Sequence, residues 1–402
     1  MQHYNLSITT SSPVHIGASS NFEPSNYVIS DIDNEKANTI PEYIICPECN
    51  YKNPYQKIKD DGICLNCESD IELPQTESNK EKSYFLYTFT PAQIAQSPID
   101  KRRLLEVARG AENIAAIQKF FKENISKIIF KAHKKAVVCP DIAKVYEKKF
   151  GNLYIKRNEQ SFFEIERNIS STAEDIAYIP ASSIKGAIRT AVLSYYNNTL
   201  KLNKFNYEKG IDYEKQLANY TNPTNDPFCQ LKISDSRPVK NFITKIITAK
   251  NKKRQILREN ENLQTRIEVI PSGTAFTGEL ILANDKKLPK YFDIDLIQKA
   301  CNDFYLSRLL AEKDNMIKIH HIPEMFFSNL EAAAKTSNTF IICIGKHGGA
   351  ENVTINGIRK IKIMQQKGQK PKYSDHATTY WFADDNIQTM PFGWCIIQYK
   401  AI

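Results

Sequence analysis

Tyr4, Leu6 and Ile8 alternate with polar neighbours, the period of a strand with one buried face. After a turn over 10–17, residues 27–30 read as a second strand and the aromatic run 84–89 as a third. A cysteine-bearing stretch lies between those two, flanked by polar segments at 31–41 and 72–82, so it reads as an insertion between strands. Pro98, with Leu104, Ala108, Ala111 and Ala115 at helical spacing, predicts a helix over 99–123. Ile184, Ala187, Ile188, Ala191, Val192 and Tyr195 form a clearer stripe and predict a second helix, with Ser182 or Ser183 as its N-cap. Short strands follow at 231–234, 266–270, 275–283 and 339–344. Strands alternating irregularly with helices predict an α+β chain with helices on one sheet face. No internal repeat or low-complexity tract interrupts this pattern.

At 402 residues the chain exceeds one ordinary domain, and typical domain sizes predict about two to three. Its 42% hydrophobic content is that of a globular protein and not of a disordered one. No apolar run approaches the roughly 18 residues of a membrane helix, and the N-terminus alternates where a signal peptide would be continuously apolar. A cytoplasmic protein without a membrane partner is therefore expected.

The net charge of +9 is unevenly spread. Residues 240–258 carry seven Lys/Arg and no acid, and 345–372 carry seven against Glu351 alone. Those two segments amount to +13, which leaves the rest of the chain at −4. Such concentration is expected where a chain meets a polyanion, although solvated surface lysines give the same count.

Of the nine cysteines, four form the pattern Cys46-Pro-Glu-Cys49, fourteen residues, Cys64-Leu-Asn-Cys67. Two knuckles of this spacing place four thiolates tetrahedrally around one Zn2+, leaving no open position, so the metal is expected to be structural. A module of about 25 residues buries little core, and the metal would supply most of its folding energy.

Ile179-Pro-Ala-Ser-Ser-Ile-Lys-Gly-Ala-Ile-Arg-Thr190 brings a Pro-terminated approach to a helix whose first turn offers free N–H groups to an anion. Lys185 and Arg189, four apart, share its polar face, and Gly186 admits a close backbone. A capped amphipathic helix explains the same residues without a ligand. Gly345-Lys-His-Gly-Gly-Ala-Glu-Asn352 follows an apolar strand, and its glycines beside Lys346 and His347 suit a phosphate cradle or a plain hairpin. His15 reads either as a general base or as a hydrogen-bonded structural residue. Asp31 and Asp33 read as cation ligands or as solvated loop carboxylates.

Together, Thr10-x-x-Pro13-Val-His-Ile-Gly17, the Ile-Pro-Ala-Ser-Ser-Ile-Lys-Gly segment and the glycine turn resemble the RAMP superfamily of CRISPR proteins. The C-terminal portion, with Asp375-His-Ala-Thr-Thr-Tyr-Trp381 and Pro391-Phe-Gly-Trp394, is similar to the terminal RAMP subunit of the type III-A (Csm) complex. The resemblance implies ferredoxin-like (RRM-like) RAMP domains at 1–200 and 201–402. The zinc ribbon at 42–74 is inserted in the first, and a basic thumb-like segment over 238–265 belongs to the second. It also implies a non-catalytic subunit that binds the 3′ portion of the guide RNA (crRNA), caps a filament of other RAMP subunits and meets target RNA indirectly. The zinc insertion departs from the family pattern.

The residues expected at the RNA are His15, Gly17, Ser182, Ser183, Lys185, Gly186 and Arg189, then Lys250, Lys252, Lys253 and Arg254. Lys346, His347, Gly348, Gly349, Arg359 and Lys360 complete the set. Two other activities compete: a RAMP endoribonuclease using His15, or Asp31 and Asp33 with a metal, and a zinc-ribbon DNA-binding protein.

Overall fold

Tyr4, Leu6 and Ile8 are buried along the strand Gln2–Thr10, as their alternation requires. In the computed structural model this strand pairs antiparallel with Ala275–Leu282 on one side, Leu6 opposite Gly278, and with Trp394–Ala401 on the other, Ile8 opposite Ile397. Thr339–Cys343 extends the sheet beyond Trp394–Ala401, while Leu231–Ile233 and Arg237–Pro238 both pair with Ala275–Leu282. The structure describes residues 1–32, 43–58, 62–71, 83–109, 114–129, 132–151, 163–172, 174–200, 210–254, 264–283, 293–363 and 369–402. Asp33 and the rest of the polar stretch to 41, the whole stretch 72–82, and 255–263 of the thumb-like segment, with Arg258, lie outside these.

Two compact units result, Met1–Phe22 with Glu164–Ile402, and Glu23–Phe163. They differ from the expected halves 1–200 and 201–402. The hydrogen-bond ladders explain why: the first strand lies between two strands from the far end of the chain, so both halves share one core.

In the larger unit the helix Ala181–Leu200 buries Ile184, Ile188, Ala191 and Val192, most of the predicted stripe. They join Leu6, Ile8, Phe340 and Ile397 of the sheet in a single hydrophobic cluster. Apart from Ala191, each such side chain contributes about 1.5–3 kcal/mol when fully buried. The sequence pattern missed the helices Ile294–His320 and Glu324–Lys335. Leu296, Leu306, Leu310 and Ile317 put apolar residues beside the buried Ile297, Tyr305 and Leu309, which blurs the stripe. Asp293 caps the longer helix, accepting from the Leu296 N–H at 2.7 Å, and the Tyr305 hydroxyl donates to the Ala187 carbonyl at 3.1 Å.

A second sheet in the same unit pairs Gly17–Phe22 with Ile165–Asn168, and Thr244–Lys253 with both Gln264–Val269 and Thr379–Asp384. Much of the basic segment expected to project as a thumb is therefore a strand inside a sheet, with Thr244, Ile246, Ile247, Ala249 and Asn251 buried. Buried residues fall on both faces of this strand and so do its lysines, Lys245 and Lys253 on one and Lys250 and Lys252 on the other, so the segment is held in the sheet and does not project from it.

The smaller unit holds an antiparallel sheet of Tyr27–Ser30, Tyr84–Thr88 and His133–Val138. Tyr27, Tyr87, Tyr146 and Phe163 are fully buried in it. The expected helix over 99–123 is realised as Lys101–Arg109 and Ile114–Glu123, with 110–113 outside the described residues. Among the described residues no helix is long and apolar enough to cross a membrane.

Candidate RNA-binding surface and metal centre

The glycine turn is built by close packing of three backbones. Lys346 N donates to the His15 carbonyl at 2.8 Å, Gly393 N to the Pro13 carbonyl at 2.9 Å and Ile344 N to the Gly393 carbonyl at 2.8 Å. Gly345 and Gly393 both hold positive φ, and a Cβ on either would overlap a backbone carbonyl oxygen, of His15 and of Ile344 respectively. These glycines thus serve chain-to-chain contact before any ligand. Gly345→Ala is expected to lower stability by about 1–2 kcal/mol from the left-handed conformation alone, and by more through the overlap. The urea unfolding midpoint measures the loss.

His15 has no exposed surface; its Nδ1 lies 2.7 Å from the Glu268 carbonyl, and its Nε2 3.5 Å from Glu166 Oε2. Burial lowers its pKa. Glu166 also meets Lys346 Nζ at 2.6 Å. Burial opposes the charge of Glu166, but Lys346 and the facing histidines hold its carboxyl below the ordinary range. Lys346 is half exposed, whereas His347 is packed against Trp381, with ring centroids 4.5 Å apart, and Phe392. His347 is therefore not a projecting cation. Burial brings both His347 and His320 down to about 4. The unfolded chain binds their protons more readily than the folded one, so this stability is present above pH 6.5 and is lost as pH falls toward 4. Thermal unfolding across that window reads the decline.

The helix that carries Lys185 and Arg189 starts at Ala181, which places Ser182 and Ser183 in its first turn and not at the cap. Its end is already served by protein, since Ala181 N donates to Asp235 Oδ1 at 2.7 Å. Arg189 turns inward, pairing with Asp226 at 2.8 Å and Glu214 at 3.4 Å, its guanidinium 4.5 Å over Phe228. Lys185 is half-buried and Gly186 exposed with open space about it. The two cations predicted to act together are thus separated in role, because sequence spacing does not show the acids at Asp226 and Glu214.

The other predicted contacts divide in the same way. Lys250 is paired with Asp384 at 2.6 Å, and Arg254 with Glu312 at 2.7 Å and with Glu351. Arg359 is buried, with 7% of its surface exposed. Lys185, Lys252, Lys253 and Lys360 have no acidic partner among the described residues, and Lys253 and Lys360 are exposed. Gly17 approaches the His15 ring, while Gly348 is half-buried and Gly349 exposed. Glu166 and Arg308 belong to these networks with no sequence signal to mark them, whereas Glu351 lies in the glycine motif itself.

In the smaller unit the strands Tyr43–Ile45 and Lys52–Pro54 form a hairpin that presents the first knuckle. Asn50 N donates to the Cys46 carbonyl and Glu68 N to the Cys64 carbonyl, both at 3.0 Å. Asn50 and Glu68, each one residue past a second cysteine, both hold positive φ. The two knuckles are therefore equivalent turns. All four sulfurs lie within 4.8 Å of one another, and the Cys46–Cys67 and Cys49–Cys64 pairs are 3.6 Å apart. Thiolates about 2.3 Å from one zinc are about 3.8 Å apart, so the set fits a tetrahedral ion. Burial opposes the Cys64 thiolate, but N–H groups of Asn66, Cys67 and Asn53 outweigh it and bring the thiol down to about 6. Among the described residues the module's buried cluster adds only Ile58 and Ile71 to the thiols, with the partly buried Ile44 packed against them.

Comparison with known proteins bears on this geometry as a whole. A chain in the cryo-EM structure of a Csm–crRNA–target RNA ternary complex from a type III-A CRISPR-Cas system is similar over 98% of this chain and 100% of that one, at 17% identity and TM-score 0.52. The crystal structure of T. onnurineus Csm5 is similar over 97% of this chain and 99% of that one, at 15% identity and TM-score 0.53. At such identities the likeness is one of fold. A search of curated proteins finds no match. The RAMP superfamily matches residues 7–322, and with its α+β sheets and glycine turn the chain belongs to that superfamily.

Proposed function

We propose that this chain is a non-catalytic subunit of a type III CRISPR effector complex that binds the 3′ portion of the guide RNA and caps a row of other RAMP subunits. One observation carries the reading: the fold matches end to end both Csm5 and a chain of a Csm–crRNA–target RNA complex. The distribution of cations agrees with it. Lys185, Lys252, Lys253, Lys346 and Lys360 lie at least partly open on the larger unit, where they would follow a phosphate backbone without reading bases. A fully buried His15 is poorly placed to take a proton from a ribose hydroxyl. Zn2+ on the four thiolates of the smaller unit is structural in this reading, and the complex works in the reducing cytoplasm.

Purification of the tagged chain from its host tests the proposal. A discrete small RNA and other RAMP-like proteins should accompany it, and the isolated chain should bind single-stranded RNA over duplex DNA. Cleavage of guide precursor or target RNA by the pure chain, abolished by His15→Ala, would establish the endoribonuclease instead.

A further inference from the structure

Beneath the glycine turn the larger unit encloses a cavity of about 190 Å³. One part of its wall is aromatic, made by His347, Tyr380, Trp381 and Phe392. The other part is polar, with Arg254, Arg308, Glu312, Glu351 and Asn352. Beside these two arginines and two acids lies the buried Arg359, a third guanidinium on whose charge Arg308, Glu351 and Asp375 act. Arg254 Nε, Arg308 Nε, His347 Nε2 and Asn352 Oδ1 are all buried and bonded to no protein group. Each such atom costs about 1–3 kcal/mol when left unpaired, and the four side chains that carry one meet at this cavity, where a polar ligand would draw their guanidinium and amide groups into hydrogen bonds.

The required ligand is planar, offers an acceptor edge to guanidinium donors and a donor to Asn352, and is about as large as one ring system. A guanine base meets these terms: its O6 and N7 are the commonest specific acceptors for arginine, and its ring N–H and amino groups donate. RNA bases are read in this way when unstacked from a single strand and laid on aromatic side chains. A more open depression of about 510 Å³ adjoins the cavity, sharing Arg254, Glu312 and Ala377 and adding Lys253 and His376. It supplies cationic room for a ribose and phosphate. We propose that this cavity takes one extruded guanine base, with its ribose-phosphate in the outer depression. That the base belongs to an RNA strand rests on the proposed function; a free guanosine nucleotide has the same chemistry.

Both tryptophans of the chain, Trp381 and Trp394, line the cavity, so fluorescence excited selectively at tryptophan, clear of the 20 tyrosines, reports on it. The probes are GMP, UMP, a uridine decamer and the same decamer with one guanosine. Saturable quenching by GMP at an affinity at least tenfold tighter than UMP is expected, with the same order between the decamers. Arg308→Lys, which keeps the charge facing Glu351 but loses the planar fork, should reduce the guanine preference about tenfold or more. Arg308→Gln should do the same, and its melting temperature shows whether it folds. Equal quenching by GMP and UMP, or a preference unchanged in both variants, overturns the proposal. Salt-sensitive binding of both decamers without quenching overturns it too, yet leaves the RNA-binding reading standing. Quenching by GMP with no affinity for either decamer supports the cavity and sinks the RNA-binding reading.

Discussion

Protein carrying both Cys46→Ser and Cys64→Ser is expected to contain no zinc, and the unaltered chain one ion. Each change removes one thiolate from a separate knuckle, and the sulfurs left cannot complete a tetrahedral shell. The consequence for folding is large because, among the described residues, the fully buried members of the module's cluster apart from the thiols are Ile58 and Ile71. Structural zinc sites contribute about 10–16 kcal/mol of apparent binding energy near neutral pH, far more than two isoleucines supply at about 1.5–3 kcal/mol each. The unfolding should remain local. The core of the larger unit, which includes Leu6, Tyr305 and Phe340, shares no residue with the zinc cluster. Elemental analysis reads the stoichiometry, and limited proteolysis followed by mass spectrometry locates the cut. Zinc retained at one per chain in the double variant would end the assignment, and loss of the metal without new cleavage in 43–71 would show that it does not fold the module.

Arg189→Ala and Lys185→Ala should part company, although the two residues lie one turn apart on the same helix. Arg189 is inside a network with Asp226, Glu214 and the Tyr220 hydroxyl, and Asp226 is itself largely buried. Removing the guanidinium leaves that carboxylate without its partner. A loss of about 2–3 kcal/mol is expected, below the figure for a fully buried pair because Arg189 keeps some access to water. Lys185 has no acidic partner among the described residues, so Lys185→Ala should leave the melting temperature nearly unchanged. If it meets an RNA phosphate, the slope of log affinity against log salt should become shallower by about 0.7. Differential scanning calorimetry and filter binding at several salt concentrations measure the two effects. An Arg189→Ala protein as stable as its parent would show that the network is solvated ornament, and an unchanged salt slope in Lys185→Ala would remove this helix from the RNA surface.

That divergence marks the limit of reading a site from spacing. Lys185 and Arg189 look equivalent in sequence because i and i+4 share a helix face. Which of them is free depends on Asp226 and Glu214, placed opposite by the helix Gly210–Ala218 and the turn at Pro227–Gln230. The same holds for His347, whose neutrality follows from burial against Trp381 and Phe392, and for Lys250, whose charge is met by Asp384 across the sheet.

The chain's own pattern determined several of the elements and the metal module, though not the helices Ile294–His320 and Glu324–Lys335. Alternation gave Gln2–Thr10, helical spacing gave Ala181–Leu200, and two Cys-x-x-Cys pairs marked the four sulfurs that converge. These are local signals, since a strand face, a helix stripe and a knuckle are each fixed by residues within a few positions of one another. Only the tertiary structure decided that the first strand lies between the strands at 275–282 and 394–401, and with it the division of the chain at Phe22 and Glu164. It alone brought Arg254, Arg308 and Glu351 to one cavity from a strand end, a long helix and a loop. Pairing between distant strands and the convergence of charges leave no periodic trace in sequence, because what selects them is the shared burial of surfaces hundreds of residues apart.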